Sequence, residues 1–295
     1  MRVMEKIKSY LQLIRVRQWY KNLIIFLPLF FSGHLFFMGD IYLTVMGFIS
    51  LCFLSSFSYI LNDLIDLKKD LHHPEKKNRP LVSGAVSKVS ALILTIILLI
   101  LSLGLGLLIN NLFLLVLIVF LILAQIYTFW LKKVVFADIL TISSLFVMRA
   151  IAGAIAIEVK ISPWLVLCPF FLALFLAVGK RHSDLLFLKE KAVNTRIVLQ
   201  EYTSELTNYL MIISTTLLVI SYSLYCFLSE HQYLLFTLPF ALFVIFRFFY
   251  LIQQGSELGR SQEKAIKDRA LVIGMILWLI ITTIIIYFPL TQLIT

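Results

Sequence analysis

Apolar runs of about 20 residues follow one another along nearly the whole chain, each closed by a short charged or turn-forming stretch. Such runs cross a bilayer as helices, because a helix satisfies its own backbone polar groups where no water can. They fall near residues 22–38, 41–63, 87–109, 112–131, 135–157, 163–181, 204–228, 232–252 and 270–290. This pattern predicts an all-α, polytopic membrane protein of about nine transmembrane helices, forming one domain over 1–295, with its ends on opposite sides. Residues 1–21 differ. Arg2, Lys6, Lys8, Arg15, Arg17 and Lys21 alternate there with apolar positions, as in an amphipathic helix lying at the membrane interface. No apolar core with a small-residue cleavage site marks a signal peptide.

The connections alternate in character. The N-terminus and the loops around 64–86, 132–134, 180–203 and 253–269 are basic, whereas Lys160 is the only Lys or Arg in the connections on the other side. The positive-inside rule therefore predicts a multi-pass protein of the cell (inner or plasma) membrane with its N-terminus and long loops in the cytoplasm. All acidic residues except Asp40, Glu158 and Glu230 fall on that same side. Any chemistry is expected there.

Composition agrees: 61% of the 295 residues are hydrophobic and 14% charged, which excludes an ordinary soluble domain. The net charge of +10 is spread over short inter-span loops, so it indicates topology and anionic ligands, not nucleic acid. Cys52, Cys168 and Cys226 lie inside apolar runs, without metal-ligand spacing.

Against this background Asp63, Asp66 and Asp70 stand out, at i, i+3 and i+7 just where the second apolar run ends. On a helix they share one face, with Tyr59 one turn earlier. Three carboxylates so placed repel unless a cation lies among them. Hard oxygen donors from few residues suit Mg²⁺, with substrate phosphates completing its shell. A solvated acidic helix end beside Lys68 and Lys69 is the alternative. Next comes His72-His73-Pro74-Glu75-Lys76-Lys77-Asn78-Arg79-Pro80, whose prolines forbid a continuing helix and whose Lys76, Lys77 and Arg79 suit phosphate binding or a lid. The paired histidines are poor metal ligands, since neighbours in sequence rarely point at one ion.

Other cations sit at comparable depth. Lys21 and Asn22 open the first span after Trp19 and Tyr20, which fit an interfacial aromatic belt. Tyr127 and Lys132 repeat an aromatic-plus-cation pattern at the end of the fourth span. Lys180, Arg181 and Asp184 end the sixth, either as a snorkelling helix end or as the basic wall of a diphosphate site. Arg149 lies inside the fifth span, where an arginine should face a polar cavity, a phosphate or a buried acid such as Asp138. Gly153 follows one turn later and permits close helix approach. No Ser/His or Cys/His pairing and no Gly-rich phosphate loop is evident.

Asn62-Asp63-x-x-Asp66-x-x-x-Asp70, followed by Arg79-Pro80-Leu81-Val82-Ser83-Gly84, resembles the first aspartate-rich motif of the UbiA prenyltransferase superfamily, and the nine-span, cytoplasmic-site layout agrees. The resemblance implies a UbiA-like helical bundle in which Asn62, Asp63, Asp66 and Asp70 hold Mg²⁺ on a diphosphate. Aromatic prenyltransferases of the superfamily carry a second aspartate-rich motif after span six. Here that place reads Gly179-Lys180-Arg181-His182-Ser183-Asp184, with one carboxylate. Together with Arg17-Gln18-Trp19-Tyr20-Lys21-Asn22 and Met148-Arg149-Ala150-Ile151-Ala152-Gly153, this looks like the phosphoribosyltransferase branch of the superfamily. That branch implies phosphoribosyl diphosphate as donor and a polyprenyl phosphate as acceptor. Lys21, Asn22, Lys76, Arg79, Tyr127, Lys132, Arg149, Lys180, Arg181 and Asp184 would then bind the several phosphates. Prenyl transfer from a polyprenyl diphosphate is the alternative within the superfamily, and an ion transporter the alternative outside it. Membrane lipid is the expected surrounding; the oligomeric state stays open, a homo-oligomer included.

Overall fold

The structure, a computed structural model, describes residues 2–71, 76–188, 197–256, 259 and 262–288. His72, His73, Pro74, Glu75 and residues 189–196 of the 180–203 loop lie outside these. Among the described residues there is no strand, and eight helices are long and apolar enough to cross a membrane. Their outward faces carry large apolar side chains, such as Ile93, Ile96 and Ile100, or Ile273, Ile276 and Ile280.

The chain divides into two compact units, Met1–Leu131 with Met148–Ile161, and Lys132–Val147 with Ser162–Thr295. The first contains α1 (Arg2–Leu13), a 3₁₀ segment (Val16–Ile25), α2 (Phe26–Phe31), α3 (Met38–Ile65), α4 (Leu67–Asp70), α5 (Lys88–Ile109) and α6 (Asn111–Phe129). It also takes the second half of α7 (Ala137–Ala156). Small residues let its helices approach closely. A Cβ on Gly106 would lie 2.5 Å from Leu117 Cδ1, and Ser50 and Ser102 each donate a hydroxyl to the other's carbonyl at 2.9 Å, joining α3 to α5. Asn110 caps α6 by accepting from the Phe113 amide at 2.7 Å, while its amide donates to Ile155 O at 3.1 Å.

Two expectations are corrected in this unit. The interfacial helix ends at Leu13, because Arg15 adopts a left-handed backbone (φ 53°, ψ 48°). The first span, expected as one helix over 22–38, is instead the 3₁₀ segment running into the six-residue α2. Pro28 explains part of this, since it offers no amide to Ile24 O and its ring crowds that turn. Gly153 explains more: a Cβ there would collide with Ile25 O, so the 3₁₀ backbone runs directly against α7.

The second unit contains the first half of α7, α8 (Pro163–Leu188), α9 (Ser204–Leu228), α10 (Leu238–Gln253) and α11 (Arg269–Tyr287). Ile139, Phe175, Val178, Met211, Phe248, Ile252 and Leu271 form its core. Thr203 caps α9 through Leu206 N at 3.0 Å, and Asp268 caps α11 through Leu271 N at 2.8 Å. Asp268 also pairs with Arg247 at 2.8 Å. These two contacts hold its carboxyl below the usual carboxylate range.

Candidate active site

The acidic cluster is built by a helix that almost continues. The Asp66 amide still donates to Asn62 O at 2.9 Å, and the Asp70 amide to Asp66 O at 2.9 Å. Only Asp66 itself leaves the helical path, so Asp63 at the end of α3 and Asp70 at the end of α4 keep the shared face that their spacing predicts. Both are buried, at 3% and 2% exposure. The chain then passes the 3₁₀ turn Lys76–Asn78 and returns through Arg79. Ser83 N bonds Arg79 O at 2.8 Å, and Gly84 supplies the positive φ (76°) of the turn into α5.

Arg79 explains how two buried carboxylates coexist. Its Nη1 donates to Asp63 Oδ1 at 2.9 Å and to Asp70 Oδ2 at 2.5 Å, so both acids converge on one cationic nitrogen. Arg15 Nη2 donates to the same Asp63 oxygen at 2.5 Å, with its guanidinium 4.8 Å from the centre of the Tyr59 ring. Asp66 is half-buried between the two acids in sequence.

A divalent cation is compatible with these donors. Arg79 Nη1 stands where a cation shared by Asp63 and Asp70 would stand, and the neighbouring Asn62 Oδ1 is buried without a hydrogen-bond partner among the described residues. Among the described residues, no three acidic, histidine or cysteine side chains form a ready metal cage. Two carboxylates, water and substrate phosphate are the usual shell of Mg²⁺, so a third protein carboxylate is not required.

The other expected residues of this unit form a second buried cluster. Arg149, 7% exposed, donates through Nε to Asn22 Oδ1 at 2.7 Å and lies 4.8 Å over the Phe120 ring. Asn22 in turn donates to Cys52 Sγ at 3.3 Å and accepts from Ser55 Oγ at 3.4 Å. A carboxamide thus receives the buried guanidinium, whereas Asp138, suggested as its acid, bonds Arg181. Lys21 is half-buried, its Nζ 5.9 Å from the Tyr20 ring centre, and Trp19 donates into α3 at Ser56 Oγ over 3.0 Å. Tyr127 is half-buried in the last turn of α6. Lys76 opens the 3₁₀ turn before Arg79.

In the second unit α8 continues past residue 181 to Leu188, carrying Lys180, Arg181 and Asp184 on regular helix. Arg181 and Asp138, 2% and 0% exposed, form an ion pair at 2.8 Å. Tyr202 donates its hydroxyl to the other Asp138 oxygen at 2.8 Å and accepts the Phe136 amide at 3.0 Å. Burial first, and the bond to Asp138 second, push that hydroxyl above its ordinary pKa. Lys132 is half-buried on the 3₁₀ turn Leu131–Lys133, Lys180 is half-buried, and Asp184 is 8% exposed. Tyr202 is not singled out by the sequence, Arg15 figures there only in a basic stretch, and Asp138 only as an acid for Arg149.

Residues 23–264 match the UbiA prenyltransferase family. The chain belongs to that family. UbiA membership, with the eight apolar helices, makes it a multi-pass membrane transferase. Among curated relatives, decaprenyl-phosphate phosphoribosyltransferase of Mycolicibacterium smegmatis is 31% identical over 290 residues, covering 92% of this chain and 91% of the relative. The enzymes of the same name from Mycobacterium tuberculosis and Corynebacterium glutamicum are each 29% identical, covering 90% and 93% of this chain and 90% and 85% of those proteins. A UbiA homolog from Archaeoglobus fulgidus bound to GPP and Mg²⁺ shares the fold at a TM-score of 0.70 and 21% identity, covering 94% of this chain and 99% of that one.

Proposed function

We propose that this UbiA protein transfers 5-phosphoribose from phosphoribosyl diphosphate to a polyprenyl phosphate of decaprenyl type, releasing pyrophosphate. The observation that carries this reading is the similarity, over at least 90% of this chain and 85% of each relative, to three decaprenyl-phosphate phosphoribosyltransferases. The convergence of two buried carboxylates and two arginines at Asp63 supports it, because a metal-bound diphosphate needs oxygen donors and mobile cations together.

In this account the bond between the ribose anomeric carbon and the diphosphate oxygen breaks, and an oxygen of the acceptor phosphate bonds to that carbon. The anomeric carbon gains oxocarbenium character while charge collects on pyrophosphate. Bound Mg²⁺ would neutralise that leaving charge. Asp63 and Asp70 would hold the ion, with Asp66 and Asn62 beside them. Arg79 and Arg15 would turn from the carboxylates to the phosphate oxygens that arrive. An acceptor phosphate is already ionised near neutral pH, so no general base is needed. Arg149, bound to Asn22 and stacked on Phe120, sets a fixed positive charge inside the first unit for a further phosphate. Lys21, Lys76, Tyr127, Lys132, Lys180 and Asp184 stay candidates for the remaining contacts. Arg181 serves Asp138 first. The site opens to the cytoplasm in the topology that the loop charges predict.

The test uses purified protein in detergent with Mg²⁺, labelled phosphoribosyl diphosphate and a polyprenyl phosphate. Label should pass into the organic phase and vanish with chelator or with Asp63→Asn. Activity with a polyprenyl diphosphate and an aromatic acid instead would overturn phosphoribosyl transfer.

A further inference from the structure

We infer that Arg15 gates metal loading: it occupies Asp63 in the cation-free site, so that a divalent cation binds well only together with its diphosphate. This rests on the functional reading above. Asp63 Oδ1 accepts from Arg15 Nη2 at 2.5 Å and from Arg79 Nη1 at 2.9 Å, and Arg79 also reaches Asp70 Oδ2 at 2.5 Å. Two carboxylates therefore face two guanidinium groups. The carboxylate side chains are 4% and 2% exposed, so water screens this group of charges weakly and its balance matters. A bare divalent cation would have to displace guanidinium groups from its own ligands and would bring two positive charges in beside them. A cation that arrives on a diphosphate brings compensating charge and gives the displaced guanidinium groups phosphate oxygens to bond.

Arg15 is built for this exchange. It ends α1 in a left-handed conformation that non-glycine residues seldom adopt, and its carbonyl receives Gln18 N at 2.7 Å. Leu13, fully buried two residues earlier, anchors the turn. The guanidinium rests against Tyr59 at 4.8 Å, yet the Arg15 side chain keeps 28% of its surface exposed. One end of its path is therefore the carboxylate and the other is open.

The test measures Mn²⁺ binding by electron paramagnetic resonance in metal-free protein, at low ionic strength and without diphosphate. Wild type, Arg15→Lys, Arg15→Met, Arg15→Gln and Asp63→Asn are compared. Wild type and Arg15→Lys should bind Mn²⁺ weakly. Arg15→Met, and Arg15→Gln as the variant that keeps a donor at Asp63, should bind about tenfold more tightly, because one contact cation has gone. Pyrophosphate at matched free concentrations should then strengthen Mn²⁺ binding to wild type more than to Arg15→Met. Equal or weaker Mn²⁺ binding in both neutral variants, with binding lost in Asp63→Asn, overturns the gate and leaves the metal reading standing. Absence of Mn²⁺ binding from every protein, with and without pyrophosphate, overturns the metal reading and the gate with it.

Discussion

Replacing Asp138 by leucine leaves the Arg181 guanidinium, 2% exposed, without the carboxylate it meets at 2.8 Å. Breaking a buried pair from one side costs about 3–5 kcal/mol, because the surviving charge stays buried. Tyr202 loses its acceptor in the same step, for about 1–3 kcal/mol more. At about 2–4 °C per kcal/mol for a large domain, the expected fall in Tm is on the order of 10 °C. Arg181→Met alone should fall comparably. Asp138→Leu with Arg181→Met removes both charges, and an apolar pair of similar volume is often neutral, so the double variant should recover most of the loss. The assay is thermal unfolding in one detergent at a fixed scan rate, since membrane proteins seldom unfold reversibly. Single variants with wild-type Tm, or a double variant at least as unstable as the singles together, would refute the assignment of Arg181 to a structural pair.

Three further outcomes follow from contacts elsewhere. Gly153→Ala should destabilise by about 1–3 kcal/mol or more, read as a lower Tm, because its methyl would collide with the backbone oxygen of Ile25, whereas Gly104→Ala, with nothing within 4 Å among the described residues, should be neutral or stabilising in the same melt. Asn22→Leu strips Arg149 of its 2.7 Å acceptor, and should both destabilise the protein by about 2–4 kcal/mol and abolish transfer, read by Tm and by product formation. Asp268→Ala should cost about 1 kcal/mol as a lost helix cap. Since the folded carboxyl lies below its ordinary range, this stabilisation is complete above that range and disappears as pH falls through the folded value. The Tm gap between wild type and Asp268→Ala should therefore be present at neutral pH and close in acid.

Sequence and structure agree wherever the information is local. Eight apolar runs became helices long enough to cross a membrane, because length and hydropathy decide that within one segment, although the sixth run continues as helix to Leu188 and the eighth is α-helical only from Leu238. Asp63 and Asp70 share a face as their seven-residue spacing requires, and Arg79 lies close enough in sequence to be read with them. The misses are long-range. Residues 1–21 read as an interfacial helix and 22–38 as one apolar span, yet Pro28 and the approach of Ile25 to Gly153 leave a 3₁₀ segment over Val16–Ile25 and a short α-helix over Phe26–Phe31. Arg15 meets Asp63 across 48 residues by way of a left-handed turn that no periodicity announces. Arg181 read as one more phosphate-binding cation because its partner, Asp138, lies 43 residues earlier. Arg149 could be recognised as a buried charge, while the carboxamide that accepts from it, 127 residues away, could not be identified as its partner.

Phosphoribosyl transfer at the Asp63–Asp70 site can be read from the masses of its products. Wild-type protein would be incubated with phosphoribosyl diphosphate, a polyprenyl phosphate and Mg²⁺, the lipid analysed by mass spectrometry and the pyrophosphate counted. The expected result is a polyprenyl phosphate heavier by one phosphoribosyl group, one pyrophosphate per lipid formed, and neither product from Asp63→Asn. An unchanged lipid with wild-type protein, or the same product from Asp63→Asn at the wild-type rate, would contradict the account.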